Sequence, residues 1–258
     1  MTRVPRESFQ DELDALQADV VSMGEHVLAQ LDDALTALET ADAELAEDVI
    51  EGDAAVNERY LDLEARCVDL FALQQPVASD LRFVAAAFKI LTDLERVGDL
   101  ATNLGQYALA TGDESVSAGG TVAATSTPAI DTPPERVIEI GRDAQAMLAD
   151  ALDGFETQDA ETCTEIAARD DDLDVLCQHA GEDVVRQLLE AGATGSGAST
   201  AAGDPDAAAL TEWDAEGALD EVSRVLLTIR DLERVGDHAV NVAARTLYMV
   251  EHDPTLIV

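Results

Sequence analysis

Lysine is almost missing from this chain. Lys89 is the only lysine among 15 basic residues, which face 54 Asp and Glu in a chain of 258. The formal net charge is −39. A balance this acidic excludes a nucleic-acid partner, because phosphates require a clustered basic surface. It excludes electrostatic docking onto anionic lipid for the same reason. Cysteine is scarce too. Cys67, Cys163 and Cys177 are odd in number and form no CxxC pair. That excludes a disulfide scaffold and a cysteine-rich zinc site, and leaves buried reduced thiols as the expectation. No apolar run approaches the ~18–20 residues of a membrane span. The opening MTRVPRESFQDELD holds no apolar signal core, so a cytoplasmic protein is expected. Also absent are a nucleophile elbow, a phosphate-binding glycine loop, HExxH and the Glu-x-x-His signature of di-iron bundles.

What is present is material for a core. Hydrophobic residues make up 47% of the chain, so the charge decorates a folded surface rather than a disordered one. Short carboxylates solvate a surface well in concentrated salt, where lysine stems would expose hydrocarbon. Salt also screens self-repulsion. The composition therefore reads as that of a protein from a high-salt cytoplasm.

Apolar residues recur at steps of three and four. Leu28, Leu31, Leu35 and Leu38 are one series; Val222, Val225 and Ile229 are another. This is helix period, and no strand alternation persists. Six helices are predicted, at about 7–40, 43–74, 76–110, 134–157, 159–190 and 212–251, with Pro76 opening the third. The short turns between them make antiparallel neighbours. Two Gly-, Ser-, Thr- and Pro-rich stretches, 111–134 and 191–206, read as loops.

The chain is a tandem repeat. DLERVGDLATN (93–103) matches DLERVGDHAVN (231–241) at nine of eleven positions, at an offset of 138. Earlier segments match at an offset of 117. Gly24 meets Gly141, Asp33-Ala34-Leu35 meets Asp150-Ala151-Leu152, and Asp53 meets Asp170. The offsets differ by 21 residues, the length of the stretch at about 191–211. The predicted fold is all-α: a first three-helix bundle over 1–111, a linker over 112–133, and a second bundle over 134–258 with one expanded loop.

The repeated LERVGDxxxN carries the chemistry. Glu95, Asp99 and Asn103 are four apart, as are Glu233, Asp237 and Asn241. Each step turns ~400°, so each trio forms a slowly drifting stripe. Val97, Ala101 and Leu104 turn towards a core. Gly98 and Gly236 cost ~1 kcal/mol each inside a helix, which points to close helix approach. The preceding helix supplies Asp53 and Asn57, and their repeat partners Asp170 and Asp174. Facing carboxylate stripes ~8–10 Å apart repel unless protonation, arginine or a metal intervenes. The donors are oxygens, which suit Mg, Mn, Ca or Fe, with Zn less favoured. A solvated acidic face is the competing explanation. His238 follows Asp237, but its counterpart is Leu100, so an ordinary helix histidine is expected. His26, His179 and His252 carry no partner pattern, and Trp213 reads as a packing anchor.

VIEGDAAVN (49–57), QQPVASDLRFV (74–84), ILTDLERVGDLATN (90–103) and TIRDLERVGDHAVN (228–241) resemble the PhoU family of phosphate-transport regulators. The resemblance implies paired three-helix bundles, often dimeric. It implies metal ions or clusters, one site per bundle, at Asp53, Asn57, Glu95, Asp99 and Asn103, and at Asp170, Asp174, Glu233, Asp237 and Asn241. The metal would be Fe, Mn, Mg or Zn. It implies a non-enzymatic negative regulator that acts on the ATPase of the phosphate ABC transporter and, in bacteria, on a phosphate-sensing histidine kinase. Asn57 is neutral where Asp174 is charged, so the two sites need not fill equally. QPVASDLR has no clear second copy. A metalloenzyme with a carboxylate-bound iron cluster and a metal-free helical scaffold are the competing readings.

Overall fold

In the computed structural model, the backbone is described for residues 5–117, 135–196 and 205–257, and side chains for 9–110, 135–190 and 217–257. Among the described residues all of the regular structure is helical. Helices α1 (Pro5–Thr40), α2 (Ala43–Asp69) and α3 (Ser79–Ser117) form the first bundle. Helices α4 (Glu135–Thr157), α5 (Ala160–Ser196) and α6 (Pro205–Glu251) form the second. No described helix is long and apolar enough to cross a membrane.

The loops between the first two helices of each repeat are one loop used twice. Asp42 caps α2, accepting from the Glu44 and Leu45 amides at 3.1 Å each. Its counterpart Asp159 accepts from the Glu161 amide at 2.9 Å and from the Thr162 hydroxyl at 2.9 Å. Side-chain oxygens at this position satisfy amides that the first helical turn leaves unpaired. The residue before each cap is left-handed, Ala41 at φ 54° and Gln158 at φ 58°. Thr40 and Thr157 each return a hydroxyl to a carbonyl of the preceding turn, Thr36 O and Asp153 O, at 2.7 Å.

Three boundaries differ from expectation. The third helix begins at Ser79, not at 76, and α2 passes into one π turn, Leu70–Gln74, before the chain reverses. Pro76 disfavours helix at Gln75, and Gln75 and Ala78 are left-handed at φ 48° and 52°. The third helix also runs on to Ser117, into the stretch expected as a linker at 112–133. The expected loop at 191–211 is helical at both ends, since α5 continues to Ser196 and α6 starts at Pro205. Alanine favours helix throughout these stretches, and proline is well placed at a first helical position. The remainder of both stretches, and the Trp213 side chain, lie outside the described residues.

The two bundles share one contiguous core rather than two. Helix α1 packs on α4, and α3 on α6, across the repeats. Phe83 of α3 stacks on Phe155 of α4, ring centres 6.1 Å apart. Val97, Ala101 and Leu104 are fully buried, as their spacing predicts. All three cysteines are buried and unpaired, and burial pushes their thiols up to about 11, 11 and 12.

Candidate metal centre

The acidic residues of each repeat come from its second and third helices. Asp53 and Asn57 lie on α2, with Glu95 and Asp99 on α3. Asp170 and Asp174 lie on α5, with Glu233 and Asp237 on α6. The glycines bring each helix pair together. A β-carbon on Gly98 would stand 3.1 Å from Val56 Cγ1, and one on Gly236 would stand 2.5 Å from Leu173 Cδ2 and 3.0 Å from Asp170 Oδ1. Val56 and Leu173 are repeat counterparts, so the same seam is built twice. An alanine at Gly236 would press on the aspartate as well as the leucine.

The second cluster is the more charged. Burial first, then Asp174, Asp237, Asp171 and Glu233, push the Asp170 carboxyl up to about 6. Burial and Asp174 raise both Glu233 and Asp237, with Asp237 also acting on Glu233; His238 and Arg234 act against the rise at Asp237. Asp170 Oδ1 is buried and accepts no hydrogen bond. Such an oxygen costs about 1–3 kcal/mol when it stays unpaired. A hard cation would satisfy it and offset the repulsion among its neighbours.

The first cluster is milder. Asn57 donates to Asp53 Oδ2 at 2.9 Å, and the Thr102 hydroxyl lies 3.3 Å from Asp53 Oδ1. Thr102 also donates to Gly98 O at 3.1 Å, and Gln30 of α1 reaches it at 3.4 Å. Glu95 is raised by burial, then by Asp99 and Asp53, against Arg96 and His238. Asp99 is raised by burial and Asp53, against Arg234. Neither Thr102 nor Gln30 was legible as a site residue; Gln30's counterpart is Met147.

The asparagines point elsewhere. Asn103 donates to Asp231 Oδ2 at 3.2 Å, and Asn241 donates to Asp93 Oδ1 at 3.3 Å. Asp93 and Asp231 are counterparts, as are the asparagines, so each repeat grips the other through the same pair. The physical reason is drift. Two four-residue steps rotate a side chain ~80°, enough to move it from the α2 or α5 side to the bundle interface. Tyr107 adds a hydrogen bond to Asp231 at 3.1 Å. His238 departs from its expected ordinary role: it is 6% exposed and its Nδ1 lies 2.9 Å from Asp93 Oδ1. Leu100 in the first repeat hid that contact from the sequence. His26, His179 and His252 are exposed.

Among the described residues, no three acidic, imidazole or thiol side chains meet closely enough to ligate one ion as placed. Asp99, Asp174 and Asp237 stand at the solvent edge, where a change of rotamer is inexpensive. The oxygen donors of Asp53, Glu95 and Asp99, and of Asp170, Asp174, Glu233 and Asp237, are of the kind that could hold an oxygen-seeking cation.

Comparison with known proteins accounts for the duplicated arrangement. The PhoU domain matches twice, over residues 20–108 and 137–246. A phosphate-specific transport system accessory protein PhoU homolog from Pseudomonas putida is 31% identical over 244 residues, 95% of this chain and 81% of its own length. Its Escherichia coli counterpart is 30% identical over 243 residues, 94% of this chain and 85% of its own. The crystal structure of PhoU from Pseudomonas aeruginosa superposes with a TM-score of 0.75 at 29% identity, covering 95% of this chain and all of that one. A Streptococcus pneumoniae phosphate transport system regulatory protein PhoU shares the fold, with a TM-score of 0.74 at 24% identity and coverage of 96% and 99%. With both repeats matched, and relatives aligned along nearly the whole chain, this protein belongs to the PhoU family.

Proposed function

We propose that this chain is a metal-binding cytoplasmic regulator of phosphate uptake, not an enzyme. It restrains the phosphate ABC transporter through that transporter's ATPase subunit when phosphate is plentiful. Where a phosphate-sensing histidine kinase is present, it acts on that partner too, and it works as a homodimer. The observation that carries the reading is the near full-length match to proteins named as accessory to phosphate-specific transport. The buried, unpaired oxygen of Asp170, whose carboxyl is pushed up by burial and by Asp174 and Asp237, supports the metal component. Ions at both clusters would neutralise one face of the molecule and create a docking surface for the ATPase.

Deletion of the gene tests this. Phosphate uptake in phosphate-replete cells is expected to rise on deletion. It should return to the parental level with the intact gene, and stay high with a Glu95/Asp99/Glu233/Asp237 quadruple alanine variant. Unchanged uptake in the deletion strain would overturn the regulatory reading. Full rescue by the quadruple variant would remove the metal from it.

A further inference from the structure

Basic residues are rare in this chain, and their placement is uneven. Away from the seam where α3 packs on α6, Arg59 and Arg66 hold Asp19, and Arg136 and Arg186 hold Asp183. Arg142 holds Asp32, and Arg169 holds Asp150. The seam itself differs. Asn103 with Asp231, and Asn241 with Asp93, set its antiparallel register, which places Lys89 opposite Arg245. Lys89, Arg96 and Asn103 recur at seven-residue steps, a line that drifts only ~20° per step. Arg234 and Asn241 repeat that line on α6, with Arg245 about one turn further on. With Arg230 beside Asp231, five of the chain's 15 basic residues gather along this edge.

These five lack the carboxylates that the others have. Arg230 and Arg234 share one, Asp231, at 3.3 and 3.8 Å, and Asp231 already accepts from Asn103 and Tyr107. Asp231 is fully buried, while the Arg230 and Arg234 side chains are 59% and 46% exposed, so both guanidiniums keep donors facing solvent. Among the described residues, Lys89, Arg96 and Arg245 make no ion pair. Arg245 Nε is buried and makes no hydrogen bond. Asp93, the other buried carboxylate of the seam, is taken by His238 and Asn241. Arg234 acts electrostatically on both Asp99 and Asp237, so it stands between the two acidic clusters. A chain with 54 carboxylates therefore leaves a local excess of positive charge on this edge.

We propose that this edge of the α3–α6 seam is a binding site for inorganic phosphate. The inference rests on the regulatory reading given above, and gives that regulator a direct contact with the anion whose uptake it restrains. Arg96 and Arg234, one from each repeat, would grip the anion. Lys89, Arg230 and Arg245 would raise the positive potential around it. A guanidinium fork donates two parallel N–H bonds to phosphate oxygens, a geometry that chloride does not match. The strip is too short for the row of phosphates in a nucleic acid, so that partner stays excluded. The carboxylates of the flanking clusters oppose the anion, so the hold on it comes from the cations of the seam.

The test is equilibrium dialysis of the full chain against radiolabelled inorganic phosphate in molar KCl. The parent is compared with Arg96→Gln/Arg234→Gln, with Arg136→Gln/Arg186→Gln, and with the Glu95/Asp99/Glu233/Asp237 quadruple alanine variant. Arg136 and Arg186 are the control, removing the same charge from α4 and α5. Arg96 and Arg234 are exposed, so far-ultraviolet circular dichroism should show an unchanged fold. Saturable binding by the parent is expected, weakened at least about tenfold in Arg96→Gln/Arg234→Gln and within about twofold of the parent in the control. The quadruple alanine variant should still bind, because the cations hold the anion. No saturable binding by the parent below ~10 mM phosphate, or parental affinity in Arg96→Gln/Arg234→Gln, would overturn the inference. Loss of binding in the quadruple variant would overturn it too, by placing the anion on the clusters. None of these results touches the regulatory reading, which falls only if uptake is unchanged in the deletion strain.

Discussion

Gly24 faces Leu152 so closely that a β-carbon on the glycine would stand 2.5 Å from the leucine's Cδ1. The mirror contact is Gly141 against Leu35, where a β-carbon would stand 2.4 Å from Cδ2. Gly24 and Gly141 are repeat counterparts, as are Leu35 and Leu152. The contact therefore reads the same from either repeat, in the manner of an isologous interface between two subunits. Duplication has built a dimer-like interface inside one chain. Glycine lets α1 and α4 approach, and a leucine from the opposite repeat fills the space.

This pair gives a prediction with a change of sign. Gly24→Ala should destabilise the parent by about 1–2 kcal/mol, because overpacking at a 4% exposed leucine outweighs alanine's helix preference. Leu152→Ala alone should cost about 2–5 kcal/mol through the cavity it leaves. In the Leu152→Ala background, Gly24→Ala should become stabilising. Denaturant unfolding of the four proteins in molar salt measures the coupling.

Asp231 is fully buried and receives Asn103 and Tyr107 from the other bundle. Asp231→Ala strands both donors and removes the carboxylate that Arg230 and Arg234 reach. A loss of about 2–4 kcal/mol is expected. Asn103→Ala should cost less, about 1 kcal/mol, because Tyr107 still donates. Equal stability of Asp231→Ala and the parent would remove the asparagine–aspartate grip as a determinant of how the bundles join.

Much of this was legible in the sequence. Helical period and the two offsets fix the bundle count, since apolar spacing and duplication both survive in the pattern. The close approach at Gly98 and Gly236 was legible too, because glycine inside a helix is costly without a packing reason. The roles of Asn103 and Asn241 were not. Spacing placed them on the acidic stripe, while accumulated rotation and a partner 128 or 148 residues away decided where they bond. His238 was hidden for a related reason, since its contact exists in one repeat only. The start of α3 at Ser79 is not legible, because Pro76 is compatible with a helix start as well as with the turn it occupies.

The chelated protein should lose stability as pH rises. The folded Asp170 holds its proton up to about 6, whereas an unfolded aspartate releases it near ~4. The folded state therefore binds more protons over that interval, and the associated stability disappears as pH climbs through it. The melting temperature of the chelated protein should fall between pH ~4 and ~6, and Asp170→Asn should flatten that dependence. At pH ~7.5, Asp170→Asn should raise the melting temperature of the chelated protein by about 2–4 °C. A chelated parent with no slope beyond that of Asp170→Asn would contradict the placement of a strained carboxylate there.

Salt should act on the whole molecule. With a net charge of −39, self-repulsion opposes the compact state and is screened as ionic strength rises. Thermal melts from ~0.1 M to ~2 M KCl should show a rising midpoint, steepest at the low end where the screening length changes most. An unshifted midpoint would contradict the high-salt reading of the composition.

The central claim is that the two carboxylate clusters hold metal. Inductively coupled plasma mass spectrometry on untagged protein purified in high salt tests it most directly, beside the Glu95/Asp99/Glu233/Asp237 quadruple alanine variant. Stoichiometric Fe, Mn, Mg or Zn in the parent, lost from a variant that keeps its helical circular dichroism, is the predicted result. Absence of metal from the parent, or equal metal in both proteins, would contradict it.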